Sequence, residues 1–437
     1  MALMNRETVS RFTAIKQVEA TIDRILTEYP RDVTSTLSPS EVHFFGQSVD
    51  LRRLLVMKEL YRLSEDVDRV YTEHNEQNRA ARNDNPSSLH LEAYERSFKE
   101  INEMAGRPFG RGQVRRFLDL GFAPGGVTTW LLRSNGSALG TGISLSLEAS
   151  GIQSQVDLQF LARFQQRYED IRDIADGRAT IDSGAFDLVI ANAAVVLPED
   201  NVSWNHRVHL VYAQLLVAFQ NIAPGGSLTI SLQTRPFDWV VDVLTTLRQS
   251  FASIIAVKPK LHAKRSVTHV VCQGYMASSD AECSYVERIR AGIGYLKQAS
   301  GAVDAPLGGT ANLPRISAPP NQVNLEAQVQ FVAELLTPVW KRQYTAIHEH
   351  YQEVLRDTHE RGPTVPASNA DAVGSWRRQQ TAVVQPGGSG SSNWRNRATE
   401  QHGSGQRGRE HRTTGSGDRS GRSGGMTTDL SWRRGQH

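Results

Sequence analysis

The stretch Phe117-Leu118-Asp119-Leu120-Gly121-Phe122-Ala123-Pro124-Gly125-Gly126 decides the fold. An apolar run with strand character ends in a glycine-rich turn, and a helix is predicted to start at Val127. The glycines of the turn lack a Cβ atom, so the backbone can approach a ligand closely. The first amides of the following helix have no partner within the helix and can hold a carboxylate. The pattern therefore predicts a ligand site at the carboxyl end of a parallel strand.

Strands and helices alternate around this stretch, from about Leu89 to Met276. This alternation is typical of a parallel sheet covered by helices on both faces. We predict strands at Arg116–Phe122, Ala138–Ser144, Gln166–Ile171, Phe186–Asn192, Ser227–Leu232, Ser253–Lys258 and Thr268–Gly274. The last two are joined by a link too short for a crossover helix, so they should be antiparallel neighbours. The predicted class is α/β, with a Rossmann-like, mostly parallel sheet of seven strands that resembles class I methyltransferases.

Four regions follow from the distribution of these patterns. Residues 1–85 have apolar residues at helical spacing and are predicted to form a helical N-terminal region. The α/β domain takes residues 86–276, and a helical C-terminal region with a Pro/Gly linker takes residues 277–358. The Gly/Ser/Arg-rich tail, residues 359–437, cannot bury enough apolar surface to offset its ordering entropy. We expect this tail to be disordered.

Charge is concentrated in the tail, although the formal net charge of the 437 residues is only +3. From Arg361 onward there are 12 arginines, no lysine and 5 acidic residues, which gives +7 and leaves the rest at −4. Trp376-Arg377, Trp394-Arg395 and Trp432-Arg433 repeat an aromatic–cationic pair that can contact unpaired bases and phosphate. The tail therefore suggests RNA as a partner. A solubilising tail with incidental tryptophans is the alternative interpretation.

The cysteine count and the hydropathy pattern exclude several classes of protein. With only Cys272 and Cys283, the chain has neither a disulfide framework nor a cysteine-based zinc site, and we expect no metal. The first residues lack the apolar core of a signal peptide. No segment approaches the ~20 apolar residues of a membrane span. We expect an intracellular protein that does not enter the membrane.

The motif around the turn resembles the FtsJ-like family of S-adenosylmethionine (SAM)-dependent ribose 2′-O-methyltransferases, whose first motif ends in Ala-Pro-Gly-Gly. The resemblance covers Phe117–Leu132 and continues in Phe186–Ile190, in the turn Ala223–Ser227, and in Lys258-Pro259 before the last strand. It implies SAM as cofactor and RNA as substrate. A dehydrogenase is disfavoured because Ala-Pro-Gly-Gly replaces the dinucleotide glycine pattern.

The resemblance also implies a set of cofactor-binding residues. These are Asp119, Gly121, Pro124, Gly125, Gly126, Ser144 and Asp170. Ser144 stands where the family has an acidic residue for the ribose, and a hydroxyl binds there more weakly than a carboxylate. Asp170 would accept a hydrogen bond from the adenine amino group. The alternative role for Asp170 is to cap a helix.

The catalytic residues of the family are only partly present. The family uses a Lys-Asp-Lys-Glu tetrad, because an attacking hydroxyl needs a nearby base with a lowered pKa. Lys99 matches the first lysine, but the other positions fall on Asn192, Ser231 and Thr268, with His269 beside the last. We predict that these four positions converge. Our catalytic candidates are Lys99, for which a surface lysine is the alternative, and Asn192, which could hold an amino group.

Other bases are possible near the last strands, where Lys258, Lys264 and His269 are expected mainly on the solvated surface. Two functions follow from these observations. The first is SAM-dependent methyl transfer with RNA as substrate. The second is a catalytically impaired module that binds SAM, RNA or both and acts through its helical extensions and basic tail. The broken tetrad favours the second function, and the intact glycine-rich turn favours the first.

Overall fold

The computed structural model describes residues 5–35, 37–70, 88–149, 151–181, 185–194, 204–276, 278–299, 312–317 and 325–361. The helices are α1 Arg6–Val9, α2 Ile15–Glu28, α3 Pro30–Thr34, α4 Pro39–Gln47, α5 Val49–Leu63, α6 Ser88–Met104, α7 Gly126–Ser134, α8 Ile171–Ala175, α9 Trp204–Asn221, α10 Asp238–Ser250, α11 Ser279–Gln298 and α12 Leu325–Arg361. The strands are β1 Arg116–Leu120, β2 Leu139–Ser144, β3 Phe164–Tyr168, β4 Phe186–Ala191, β5 Ile222–Gln233, β6 Phe251–Val257 and β7 Val267–Tyr275.

The seven strands form one sheet in the order β3-β2-β1-β4-β5-β7-β6. The pairings among β1 to β5 are parallel, and β7 lies antiparallel between β5 and β6. β4 is central and almost wholly buried, as its unbroken apolar run predicts. The predicted fold class is confirmed, including the antiparallel relation of the last two strands.

Two strand boundaries differ from the sequence prediction by three residues or more. β3 ends at Tyr168, because Asp170 is the N-cap of the short helix α8 and its side chain accepts from the Arg172 amide. The predicted strand Gln166–Ile171 therefore extends into a helix start. β5 begins earlier than predicted, at Ile222, and contains the glycine turn Gly225-Gly226 with a register shift against β4. A local side-chain cap and a strand irregularity decided these boundaries, and hydrophobic periodicity detects neither.

The helical extensions pack on the α/β domain instead of standing apart from it. One continuous hydrophobic core contains residues of α2, α4, α5, the sheet, α11 and α12. On α12, the fully buried Trp340 donates from Nε1 to the carbonyl of Thr234, just beyond β5. On α4, the buried Glu41 forms a two-pronged ion pair with Arg235. The extensions therefore border the carboxyl edge of the sheet.

No helix in the described ranges is long and apolar enough to cross a membrane. The predicted disordered tail and its Trp-Arg pairs lie outside the described residues, as does most of the predicted Pro/Gly linker.

Candidate functional site

The glycine-rich turn lies between β1 and α7, as predicted. Gly121 (φ +87°) and Gly125 (φ +116°) adopt the left-handed backbone conformation that favours glycine, and Gly125 is the N-cap of α7. The first amides of α7 lie at this carboxyl edge of the sheet. A helix start of this kind suits an anionic group.

The chain itself occupies the space beside these glycines. A Cβ atom on Gly121 would lie 2.5 Å from Cα of Ala193, and one on Gly125 would lie 2.4 Å from Cγ2 of Val156. A Cβ on Gly126 would lie 2.4 Å from the carbonyl oxygen of Leu91, in α6. The amide of Gln155 also donates to the carbonyl of Pro124, at 2.8 Å. The absence of Cβ atoms therefore lets three chain segments pack against the turn, so a larger residue there would disturb folding before it disturbed binding.

Asp119 supports the turn from below. Its carboxylate is 1% exposed and accepts a hydrogen bond from Thr128 Oγ1 in α7, at 2.7 Å. Burial raises the pKa of Asp119 to about 7, and the hydrogen bond from Thr128 opposes this shift. The side chain joins β1 to the first turns of α7. A direct contact with a cofactor stays a prediction.

Ser144 and Asp170 lie at the neighbouring strand ends. Ser144 ends β2, pairs with Tyr168 of β3 and is partly exposed. Asp170 caps α8 and also receives hydrogen bonds from the Arg172 guanidinium at 2.6–3.0 Å. Partial burial pushes the pKa of Asp170 upward, but the hydrogen bonds from Arg172 outweigh it and the net shift is downward. The capping role considered for Asp170 is present, and the adenine contact stays a prediction.

A chain of hydrogen bonds links four side chains at the same edge of the sheet. Ser231 Oγ donates to Asn192 Oδ1 at 2.8 Å and lies 3.1 Å from His269 Nδ1. His269 Nε2 lies 2.8 Å from His262 Nδ1. Asn192 follows β4, Ser231 lies near the end of β5, and His269 faces it from β7. We call this set the Asn–Ser–His–His network.

Both imidazoles of the network are neutral near pH 7. Burial, followed by neighbouring positive charge, lowers the pKa of His262 to about 2 and that of His269 to about 3. The Ser231 proton points to Asn192, so its oxygen accepts from Nδ1–H of His269. Nε2 of His269 then accepts from Nδ1–H of His262. This order of donors and acceptors is consistent with two neutral imidazoles.

The network differs from the predicted catalytic set in two members. The prediction that Thr268 joins Asn192 and Ser231 is wrong. Its hydroxyl donates to the carbonyl of Val257, and His269 faces Ser231 instead. Lys99 is exposed on α6 and makes no hydrogen bond or ion pair with another described residue. The structure thus brings Asn192 and Ser231 together without Lys99. His262 was missed, because its approach to His269 depends on how the β6–β7 link folds.

Two of the bases expected on the surface are buried. Lys258 is 1% exposed and His269 is 4% exposed, so the prediction of a solvated position is wrong for both. Lys258 Nζ donates to the carbonyls of Arg265 and Val267, at 2.6 and 2.7 Å. Burial lowers its pKa well below the usual value, and the nearby cations Lys58 and Arg342 lower it further. Lys258 therefore fixes the β6–β7 link that carries His262.

Two cavities of the described part of the chain lie away from the turn and the network. A cavity of about 290 Å³ is lined by α8, the end of α9 and Arg290 of α11, and one of about 230 Å³ lies beside Tyr212 and Asp242. Neither is lined by the turn or by the network. No three His, Cys, Asp or Glu side chains among the described residues are grouped to hold a metal ion.

Several proteins of known structure are similar to this chain at low sequence identity. Solved structures similar to this chain include an O-methyltransferase family protein from Burkholderia thailandensis (13% identity, 52% of this chain and 72% of that chain, TM-score 0.30). They also include an rRNA methylase from Streptococcus thermophilus (11% identity, 41% of this chain and 97% of that chain, TM-score 0.29). A third is a 16S rRNA N2 G1207 methyltransferase of T. thermophilus in complex with AdoMet and guanosine (18% identity, 44% of this chain and 43% of that chain, TM-score 0.27). No curated protein matches the chain.

The family model described as FtsJ-like methyltransferase matches residues 96–275. This range runs from α6 to the end of β7 and contains both the turn and the network. Residues 96–275 therefore match the FtsJ-like methyltransferase family, and helices pack on this α/β domain from both sides.

Proposed function

We propose that this domain transfers a methyl group from SAM to RNA. The observation that carries the proposal is the position of the glycine-rich turn. It lies at the carboxyl edge of a sheet with methyltransferase topology, on the same edge as the Asn–Ser–His–His network. The match of residues 96–275 to FtsJ-like methyltransferases supports the reaction class, and the same resemblance suggests RNA as the substrate.

The residues at this edge fit SAM. The positive-φ Gly125 and the first amides of α7 suit the methionine carboxylate. The hydroxyl of Ser144 and the half-exposed ring of Tyr168, at the ends of adjacent strands, suit the nucleoside. When bound, SAM supplies an electrophilic methyl group. The side chain of Asn192, held by Ser231, lies at the next strand end and would orient the acceptor.

The network limits which acceptor can react. A hydroxyl must lose its proton as it attacks, and imidazoles with pKa values of about 2 and 3 are poor bases near pH 7. A base nitrogen with an available lone pair needs no such proton removal before attack. The network therefore orients the acceptor but does not deprotonate it, and we expect ribose hydroxyls to be poor acceptors.

A matched pair of variants tests SAM binding at the turn. Val127 is the second residue of α7 and is only partly exposed. In Val127→Asp, a carboxylate lies beside the amides that would bind the SAM carboxylate. The helix dipole favours a negative charge at this position, although both variants lose the packing of Val127 against the core. Val127→Asn has the same size without the charge. Titration calorimetry should show SAM affinity reduced about tenfold or more in the Asp variant relative to the Asn variant.

Two outcomes of this titration would contradict the proposal. One is the absence of binding by the wild-type protein at millimolar SAM. The other is equal affinity of the two variants, which would place the methionine carboxylate elsewhere. Gly125→Val is a less useful test, because its side chain would collide with Val156 and could unfold the turn.

A second function, a non-catalytic binding module, is favoured by the placement of Lys99 and the two histidines. Lys99 is exposed and the imidazoles are neutral, so the described site holds no group suited to take a hydroxyl proton. Binding of SAM and RNA without methyl incorporation into any RNA pool would establish this second function.

A further inference from the structure

The segment that joins α6 to β1 carries exposed arginines and no acidic residue. We call residues 106–116 the arginine loop. Its sequence is Gly-Arg-Pro-Phe-Gly-Arg-Gly-Gln-Val-Arg-Arg. Arg107, Arg111 and Arg115 are exposed and form no ion pair with another described residue. Because β1 runs from this loop to Gly121, the loop lies at the amino edge of the sheet, opposite the glycine-rich turn.

The backbone of the arginine loop is held rigidly from within. Asn102 Oδ1 accepts from the Phe109 amide at 2.8 Å, and Asn135 Nδ2 donates to the Phe109 carbonyl at 2.9 Å. Both asparagines and the Phe109 ring are buried. The side-chain amide of Gln113 faces the carbonyls of residues 107, 108 and 110, at 2.8–3.2 Å. The arginines therefore project from a fixed frame, which reduces the conformational entropy lost on binding.

Two of the arginines adopt an unfavourable backbone conformation. Among the described residues, Arg107 (φ +66°) and Arg111 (φ +58°) are the non-glycine residues with positive φ. The left-handed region disfavours a residue with a long side chain, whereas glycine adopts it freely. Folding gains nothing visible from these guanidinium groups, since both are exposed and unpaired. Strain of this kind is typical of functional positions.

The nearby acidic side chains of the described residues form no ion pair with the three exposed arginines. Asp187 lies under the loop, but its Oδ2 already accepts from the amides of Arg115 and Arg116, both at 2.9 Å. Glu103, on the last turn of α6, is exposed and forms no ion pair with a described residue. The loop therefore presents three guanidinium groups to solvent.

We propose that the arginine loop binds the phosphate backbone of RNA at the amino edge of the sheet, away from the site of methyl transfer. Planar guanidinium groups on a fixed frame match phosphate oxygens in a two-pronged geometry. Contacts of this type position a nucleic acid without reading its sequence. The identification of RNA rests on the proposed function, whereas the preference for phosphate rests on the loop itself.

The double variant Arg107→Gly/Arg111→Gly gives a test in which stability and binding move in opposite directions. Glycine relieves the backbone strain, so the melting temperature should be unchanged or rise by roughly 1–4 °C. The loss of two phosphate contacts should weaken binding of a short fluorescein-labelled single-stranded RNA about tenfold or more at low salt. The slope of log Kd against log salt should fall by about 1.4, as expected for two lost contacts to a single strand. Arg107→Lys/Arg111→Lys keeps the charge and is the matched control, with a slope like that of the wild type.

Two results would overturn the proposal for RNA. Unchanged RNA affinity in the double glycine variant would show that the loop does not bind RNA. Equal competition by RNA and by poly-glutamate for the wild-type loop would indicate an acidic protein as partner. The binding assay contains no SAM, so it is independent of methyl transfer. If the double glycine variant loses RNA binding but the wild-type protein methylates no RNA, the proposal for the arginine loop holds and the proposed function is wrong. If the wild-type protein methylates RNA but the double glycine variant binds RNA as tightly as the wild type, the proposed function holds and the proposal for the loop is wrong.

Discussion

Burial makes a single carboxyl, Asp119, a source of pH dependence. Its folded-state pKa of about 7 lies above the unfolded value of about 3.9, so the folded protein binds more protons between pH 4 and pH 7. The free energy of unfolding therefore falls as pH rises through this window. Asp119→Asn keeps an acceptor for Thr128 and removes the charge. Between pH 4 and pH 7, we expect the free energy of unfolding of the variant to rise relative to that of the wild type by up to about 1.4 kcal/mol per pH unit.

Urea unfolding at pH 5 and pH 7 measures this difference. If the free energies of unfolding of the wild type and Asp119→Asn change with pH in the same way, the carboxyl is not buried as described. SAM titration of the same variant tests the predicted cofactor contact. If Asp119 only joins β1 to α7, as its hydrogen bond to Thr128 suggests, affinity should stay within about threefold of wild type.

Lys99 is the residue on which ribose methylation would depend. It is exposed, and the Asn–Ser–His–His network contains neutral imidazoles. General-base help is typically worth ~10²–10⁴-fold, so we expect ribose 2′-O-methylation to be absent or very slow. Methyl incorporation from labelled SAM into RNA and protein pools, followed by nucleoside analysis, measures it. We expect Lys99→Ala to leave the incorporation into any acceptor unchanged.

The control for Lys99 is Lys341→Ala, which removes a lysine exposed on α12. Robust ribose methylation that disappears in Lys99→Ala but survives in Lys341→Ala would contradict this expectation. It would mean that the lysine turns toward the acceptor when substrate binds.

At the scale of elements, local signals were enough to predict the core of the fold. The strand, the turn and α7 follow from the order of apolar residues and glycines, and the strand pattern predicted a mostly parallel sheet with an antiparallel last pair. The end of β3 was missed because one side chain, Asp170, caps a helix there. The pairing of His262 with His269 could not be predicted, because it depends on a link fixed by the buried Lys258.

The packing of α5 against the α/β domain should depend on pH, because α5 carries a lysine, Lys58, whose pKa is lowered by burial. Lys58 Nζ donates to Ser266 Oγ at 2.7 Å, and burial followed by the charge of Arg235 lowers the pKa of Lys58 to about 7, against the opposing influence of Glu41 and Glu59. The unfolded chain, with a pKa near 10.4, therefore binds more protons above pH 7. Stability should rise with pH from 7 to 9, by up to about 1.4 kcal/mol per unit relative to Lys58→Met.

Urea unfolding of the wild type and Lys58→Met at pH 7 and pH 9 tests this sign. The range stops at pH 9 because tyrosine side chains of the unfolded chain titrate above it, and the titration of the cysteines near pH 8.5 is common to both proteins and cancels in their difference. A difference between the two proteins that does not change with pH would show that Lys58 stays charged in the fold.

At the scale of the whole molecule, the domain is an α/β sheet whose two edges have different properties. The carboxyl edge holds the turn and the Asn–Ser–His–His network, and the helical extensions border it through Glu41–Arg235 and Trp340–Thr234. The amino edge holds the arginine loop. An extended polyanion that contacts both edges would pass over the domain. The extensions were predicted as helices, but their shared core with the sheet was not, since it joins residues far apart in sequence.

The tail beyond Arg361 adds the last expected contact with RNA. Its 12 arginines against 5 acidic residues favour contact with phosphate, and its tryptophans favour stacking on unpaired bases. A chain that ends at Gly362 should bind single-stranded RNA more weakly at low salt and with a flatter salt dependence, because fewer counterions are released. The triple variant Trp376→Ala/Trp394→Ala/Trp432→Ala separates the two contributions. It should lose affinity while keeping the salt slope, since stacking releases no counterions. Unchanged affinity after truncation would leave the tail a solubilising segment, and the arginine loop would then account for RNA binding alone.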